Sequence, residues 1–276
     1  MVRKSLLSAV ALCGLLPFRG AGAGFFVSYD DKHASAQYRL PEPDAMPLLC
    51  QPDRPLPSPA EVVLSAKPVQ EEPVVFGIDV SHYQGRINWQ MVRLDPNVGY
   101  VYIKATEGAG IVDSHYRRNL AEARGAGLPV GVYHFFSPSA SAMVQLRNFL
   151  ENVDPRQQDL IPLIDVEKRG RGSTADFHAK LSAVLRETER HFGVRPIIYT
   201  GVNFYNEHLA GRYTDYRFMI ARYAEELPPL ADDVPVVMWQ FTSGGSISGI
   251  QGNVDRSFIL RSFSLQDILM PRPASR

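Results

Sequence analysis

Two acidic side chains one residue apart, Asp165 and Glu167, follow the apolar run Leu160-Ile161-Pro162-Leu163-Ile164. If that run is a strand, alternate residues share a face, so both carboxyls converge on one patch of space. Paired carboxyls can do acid/base chemistry, because like charges raise the pKa of whichever group ionises last. One acid then holds a proton to give away while its neighbour stays ionised. The same spacing also describes a strand that ends in a solvated polar turn, which is the commoner case in an arbitrary chain. Two more acids bear on the choice: Asp79 stands near the end of an earlier β-rich run, and Asp255 at the start of a late one.

From Val74 onward, short β-rich runs alternate with helical patterns, the signature of parallel strands joined by crossover helices. Eight strands are predicted, over 74–80, 100–104, 130–136, 161–166, 196–200, 217–222, 235–241 and 254–259, and eight fit a closed barrel. Asp113 is expected to cap a helix with Tyr116, Leu120 and Ala123 on one face and Gly125 and Gly127 near its end. Thr174 opens another, with Phe177, Leu181, Val184, Leu185, Thr188 and Phe192 at helical spacing before Gly193. Further helices are predicted over 140–152, 87–94 and 203–209. After Arg217 no long helical pattern appears before the last strand, so the outer ring of helices should be incomplete. In such barrels the chemistry sits at the C-terminal ends of the strands. Asp79, Asp165 and Glu167 meet that rule, and Asp255 meets it only if its strand begins earlier than residue 254.

The chain of 276 residues is 45% hydrophobic, enough for one large domain with appendages or two small ones. Lys plus Arg and Asp plus Glu number 29 each, a balance that gives no support to a nucleic-acid partner. Residues 1–23 read as a secretory signal: Arg3 and Lys4, an apolar stretch from Leu6 to Phe18 broken by Gly14, then Ala21-Gly22-Ala23. That stretch is short for a membrane span, so a secreted protein, periplasmic or extracellular, with no stable membrane insertion after signal removal is expected. Cys13 follows Leu12, where lipoprotein processing would need a small residue. Cys50 is then the remaining cysteine, and an internal disulfide has no second partner. Nine of the 21 prolines lie in 24–73, which reads as an extended or disordered linker. The division expected is leader 1–23, linker 24–73, barrel 74–264 and tail 265–276, in a monomer.

The stretches Gly77-Ile78-Asp79-Val80-Ser81-His82-Tyr83-Gln84-Gly85, Ile103-Lys104-Ala105-Thr106-Glu107-Gly108, Gly131-Val132-Tyr133-His134-Phe135, Asp165-Val166-Glu167, Ile198-Tyr199-Thr200 and Trp239-Gln240-Phe241-Thr242 carry a resemblance. In this order, over about residues 75–260, the chain resembles glycoside hydrolase family 25, the Chalaropsis-type lysozymes. The resemblance implies a flattened α/β barrel of (β/α)5β3 form, a TIM-like fold. It also implies hydrolysis of the β-1,4 bond between N-acetylmuramic acid and N-acetylglucosamine in peptidoglycan glycan strands; no cofactor is expected. Carried over, Glu167 matches the family's proton donor, and Asp79, Asp165 and Asp255 match the other acids of its cleft. Around Asp255 the chain reads Val254-Asp255-Arg256-Ser257-Phe258, where many members continue with Leu-Asn.

Glycosidic cleavage needs such a set because the leaving alkoxide must be protonated while positive charge develops on the sugar left behind. The expectation is that Glu167 rests protonated and Asp165 ionised. Strand geometry puts alternate backbones roughly 6.6 Å apart, which straddles the retaining and inverting separations. The resemblance suggests substrate assistance by the 2-acetamido group; a carboxylate nucleophile, or water activated by Asp79 or Asp255, stays open. Tyr133, Tyr199 and Trp239 could stack on sugar faces or simply pack the barrel. Lys104 could bind the glycan or pair with Glu107. His82 and His134 lack metal-ligand spacing and read as structural, so no metal is implied. A basic run, Arg169-Gly170-Arg171-Gly172, could meet peptidoglycan carboxylates or be a solvated loop. Other readings of the whole are a non-hydrolytic peptidoglycan-binding barrel and a glycosidase acting on another N-acetylated glycan such as chitin.

Overall fold

The computed structural model describes residues 74–271. The expected leader, the proline-rich segment with Cys50, and residues 272–276 lie outside them. The β-rich runs become nine strands: β1 Phe76–Val80, β2 Tyr100–Glu107, β3 Ile111–Val112, β4 Val130–Phe135, β5 Leu163–Asp165, β6 Ile197–Gly201, β7 Phe218–Ala221, β8 Val236–Gly245 and β9 Val254–Ile259. β3 adds to the eight predicted strands; it folds back on the end of β2, pairing Val112 with Thr106. The other eight close into a barrel through the β1–β2 and β1–β9 pairings.

Helical connections follow the first five barrel strands. They are α1 Trp89–Leu94, α2 Tyr116–Gly125, α3 Ala142–Asn152, α4 Thr174–Phe192, and a turn at Val202–Phe204 that runs on as a π-helical turn, Tyr205–Leu209. α4 starts where Ser173 Oγ accepts the Asp176 N–H and stops at Gly193, whose φ of 70° suits a residue without Cβ. Asp113 does not cap α2 as expected. Its Oδ1 accepts the His115 N–H, while its Oδ2 takes both the backbone N–H and the ring Nδ1 of His82, tying the α2 entry to the turn after β1.

Alternation along the strands builds two apolar layers. Ile78, Val80, Val101, Ile103, Ile164 and Val166 face outward and pack under Phe177, Leu181, Val184 and Leu185 of α4 and under the other helices. Tyr100, Tyr102, Leu163, Ile197, Met219 and Met238 fill the barrel interior. Each fully buried side chain of this size contributes roughly 1.5–3 kcal/mol. Gly77 and Gly131 are small by necessity, since a Cβ would lie 2.1 Å from the Tyr100 ring and 2.6 Å from the Tyr102 ring respectively. On the helix-free flank Phe76, Trp239, Phe241 and Phe258 cluster, edge to face around Phe76 and tilted around Phe258 with Trp239 and Phe241, and the Arg256 guanidinium lies 5.5 Å from Phe76 and 5.4 Å from Phe241. These rings replace the missing helices as cover.

Two expectations are revised. The segment read as a tail from residue 265 belongs to the barrel as far as it is described: Leu265–Ile268 is helical, Ile268 is buried, and Ile161 N–H donates to Ile268 O at 2.8 Å. β9 also runs antiparallel to both β8 and β1. Its first residues therefore lie at the same barrel end as the C-termini of the parallel strands. Asp255 reaches the same end of the barrel as Asp79 and Asp165 by strand direction, with no earlier start of β9, and it sits directly opposite Asp79.

Candidate active site

The interior faces of six barrel strands each deliver one polar group to the mouth of the barrel. β1 brings Asp79, β2 Lys104, β4 Tyr133, β5 Asp165, β6 Tyr199 and β9 Asp255, and all six line a cleft of about 240 Å³ together with Glu167. β5 ends at Asp165, yet the next residue stays extended: Val166 N–H donates to Tyr199 O at 2.9 Å and Val166 O accepts from Thr200 Oγ1 at 2.7 Å. That clamp turns Val166 outward into the core and returns Glu167 to the side of Asp165, as the spacing of the two acids predicts.

All four acids hold protons more tightly than free carboxyls. Burial raises Asp79 well above the usual carboxylate range, and neighbouring Asp255 adds to the effect. Asp79 and Asp255 face each other across the β1–β9 pairing, so a charge on one disfavours a charge on the other. Burial likewise raises Asp255. Asp165 is 8% exposed, and its Oδ1 is buried with no hydrogen-bond partner among the described residues. Burial, then Glu167 and Asp79, push it well up, with Lys104 opposing. Glu167 is raised by burial too, with Asp255 adding to the effect, but Lys168 and Lys104 pull the other way. Burial thus raises both acids of the pair whose expected order is Glu167 protonated and Asp165 ionised. A buried oxygen without a donor disfavours the carboxylate form.

Gln240, 1% exposed, organises one side of the cleft. Its Nε2 donates to both Asp79 oxygens at 3.1 Å, and its Oε1 accepts from Tyr199 Oη at 2.9 Å and Tyr223 Oη at 3.0 Å. Strand alternation could have found it: with Met238 inside the barrel, Gln240 must be inside as well. The same alternation removes Trp239 from the cleft. It is 2% exposed in the outer aromatic cluster, with Nε1 donating to Arg222 O at 2.8 Å, so the structure gives it the packing role. Lys104 takes the pairing alternative, its Nζ donating to Glu107 Oε2 at 2.6 Å, although it still lines the cleft. Tyr83, 80% exposed on the turn after β1, and Phe135 line the mouth and are not singled out by spacing.

The two histidines are structural in their contacts. His82 bridges to Asp113 at 2.6 Å, and buried His134 sits between Thr106 Oγ1 at 2.7 Å and Gln145 Oε1 at 3.3 Å. Burial lowers the His134 pKa to about 4, so the ring is neutral.

Several carboxyls of raised proton affinity, ringed by tyrosines at the C-terminal mouth of a barrel, define a glycosidase. The sequence model of Glycosyl hydrolases family 25 matches residues 78–250, and the chain belongs to that family. The Escherichia coli K12 protein YegX is 41% identical over 185 residues, 66% of this chain and 68% of YegX. Lysozyme M1 of Streptomyces globisporus is 31% identical over 204 residues, 66% of this chain and 67% of its own. A family 25 glycosyl hydrolase structure from Bacillus anthracis aligns with a TM-score of 0.62 at 30% identity, over 67% of this chain and 88% of that one.

Proposed function

We propose that the protein is a muramidase that hydrolyses the β-1,4 bond between N-acetylmuramic acid and N-acetylglucosamine in peptidoglycan, with Glu167 as general acid. The observation that carries this reading is that Asp165, whose Oδ1 has no donor among the described residues, lines the same cleft as Glu167. The N–H of a substrate 2-acetamido group would supply a donor to the cleft-facing oxygen of Asp165. Its hydrogen bond would favour the Asp165 carboxylate, leaving the shared proton for Glu167. Glu167 then protonates the glycosidic oxygen as the C1–O bond breaks. The acetamido oxygen forms a bond to C1 from the opposite face, and Asp165 stabilises the positive charge that spreads onto nitrogen. Water opens the resulting oxazolinium ring after giving a proton to Glu167, so the anomeric configuration is retained. The Asp79 and Asp255 pair, held by Gln240, supplies further negative charge to the sugar cation.

Similarity to lysozyme M1 supports the substrate, and a wall polymer outside the cytoplasm agrees with the basic-apolar start of the chain, Arg3 to Ala23. The test is the identity of the new chain ends. Purified protein is incubated with peptidoglycan, the products are reduced with borohydride, and the ends are read by mass spectrometry. N-Acetylmuramitol ends support the proposal. N-Acetylglucosaminitol ends would assign the other bond, and intact strands would favour a binding module.

A further inference from the structure

One corner of the cleft opposes the charge of the rest. Asp79, Asp165, Glu167 and Asp255 make the mouth acidic, which repels an anionic polymer. Beside Glu167, however, the ammonium groups of Lys104 and Lys168 each lie 5.0 Å from the centre of the Phe135 ring, and Phe135 lines the cleft. Lys104 is buried and committed to Glu107. Lys168 is exposed, and among the described residues it makes no salt bridge. The loop beyond it adds Arg169, whose Nη1 donates to Gly172 O at 2.7 Å, and exposed Arg171. The next acid along the chain, Asp176, is taken by Lys180 at 2.8 Å.

We propose that Phe135 and Lys168 form a subsite for a carboxylate carried by the glycan on the sugar whose C1–O bond is broken beside Glu167. This rests on the muramidase reading and names what that site would select. The ring face holds the ammonium while its N–H groups stay free to donate, so an arriving carboxylate gains a charge-assisted hydrogen bond. N-Acetylmuramic acid supplies the group: its lactyl ether ends in a carboxylate when bare and in an acidic peptide when a stem is attached. Polymers of N-acetylglucosamine carry no such group, so this corner separates peptidoglycan from chitin by charge.

The test compares the wild type with Lys168→Gln and Lys168→Arg on three glycans: stem-bearing peptidoglycan, strands stripped to the lactyl carboxylate, and stripped strands with that carboxylate reduced to the alcohol. Each protein is assayed at its own pH optimum, because Lys168 also lowers the proton affinity of Glu167. The wild-type KM is expected to be about tenfold lower on carboxylate strands than on reduced ones. Lys168→Gln should raise the former to the latter, and Lys168→Arg should keep the difference. A preference confined to stem-bearing strands and lost in Lys168→Gln also supports the subsite and places the carboxylate in the stem. Equal wild-type KM on all three, or a preference that survives Lys168→Gln, overturns the subsite and leaves the muramidase reading intact. Cleavage of none of them removes that reading and the subsite with it.

Discussion

Replacing Asp165 by Asn should make the protein more stable at neutral pH while it loses activity. Asp165 is 8% exposed, with one oxygen buried and without a donor, and burial, Glu167 and Asp79 all raise its proton affinity. A carboxyl raised in this way favours folding fully below its unfolded pKa of ~3.9. That contribution is lost as pH rises through the folded value, and each tenfold of extra proton affinity amounts to about 1.4 kcal/mol above both. Asn has nearly the same shape and never ionises. The expected gain at pH 7 is on the order of 1–3 kcal/mol, or ~2–4 °C in Tm for each kcal/mol in a domain of this size. Thermal unfolding of wild type and Asp165→Asn is followed by circular dichroism at pH 7 and pH 3.5, and the difference is taken at each pH. At pH 3.5 the aspartate is protonated when folded and mostly protonated when unfolded, so the gain should fall close to zero. A variant less stable than wild type at pH 7, or an equal gain at both pH values, would refute the reasoning.

Buried His134 acts in the opposite sense. Its pKa is lowered to about 4, so its contribution is complete above pH 6.5 and is lost as pH falls from 6.5 towards 4, a change of about 3 kcal/mol. His134→Gln should flatten that slope in unfolding measurements across the same range. Gln240→Met removes the donor to Asp79 and orphans two tyrosine hydroxyls; the Asp79 and Asp255 pair then binds its proton more tightly. The acid limb of the kcat profile should move to higher pH, and an unmoved limb would deny Gln240 that role. Trp239→Phe loses the bond to Arg222 O and should cost about 1 kcal/mol in denaturant unfolding, with KM on peptidoglycan unchanged.

Much of this was legible because a barrel wall repeats one rule, inside then outside. The period-two pattern located the eight wall strands to within a few residues and put Asp165 and Glu167 on one side. The direction of β9 was not read, although residues 246–253 are too few for a parallel crossover, which needs a dozen or more. That length alone implies a hairpin, and the hairpin is what carries Asp255 to the mouth. Trp239 shows the opposite failure: an aromatic residue in a matching motif suggested sugar stacking, while alternation from Met238 already turned it outward. The proton order of Asp165 and Glu167 depends on which oxygen finds a donor in three dimensions. Spacing along the chain carries no information on that. Asp113 had the right residue type for a helix cap, but its carboxyl went to His82, a partner 31 positions away.

The central claim is that Glu167 delivers the proton that breaks the glycosidic bond. Its most direct test is the rate at which Glu167→Gln generates N-acetylmuramitol ends from peptidoglycan, with folding of the variant verified by its unfolding transition. A general acid contributes about 10²–10⁴-fold, so a loss of that size is predicted. A Glu167→Gln protein that releases these ends within a few-fold of the wild-type rate would contradict the account.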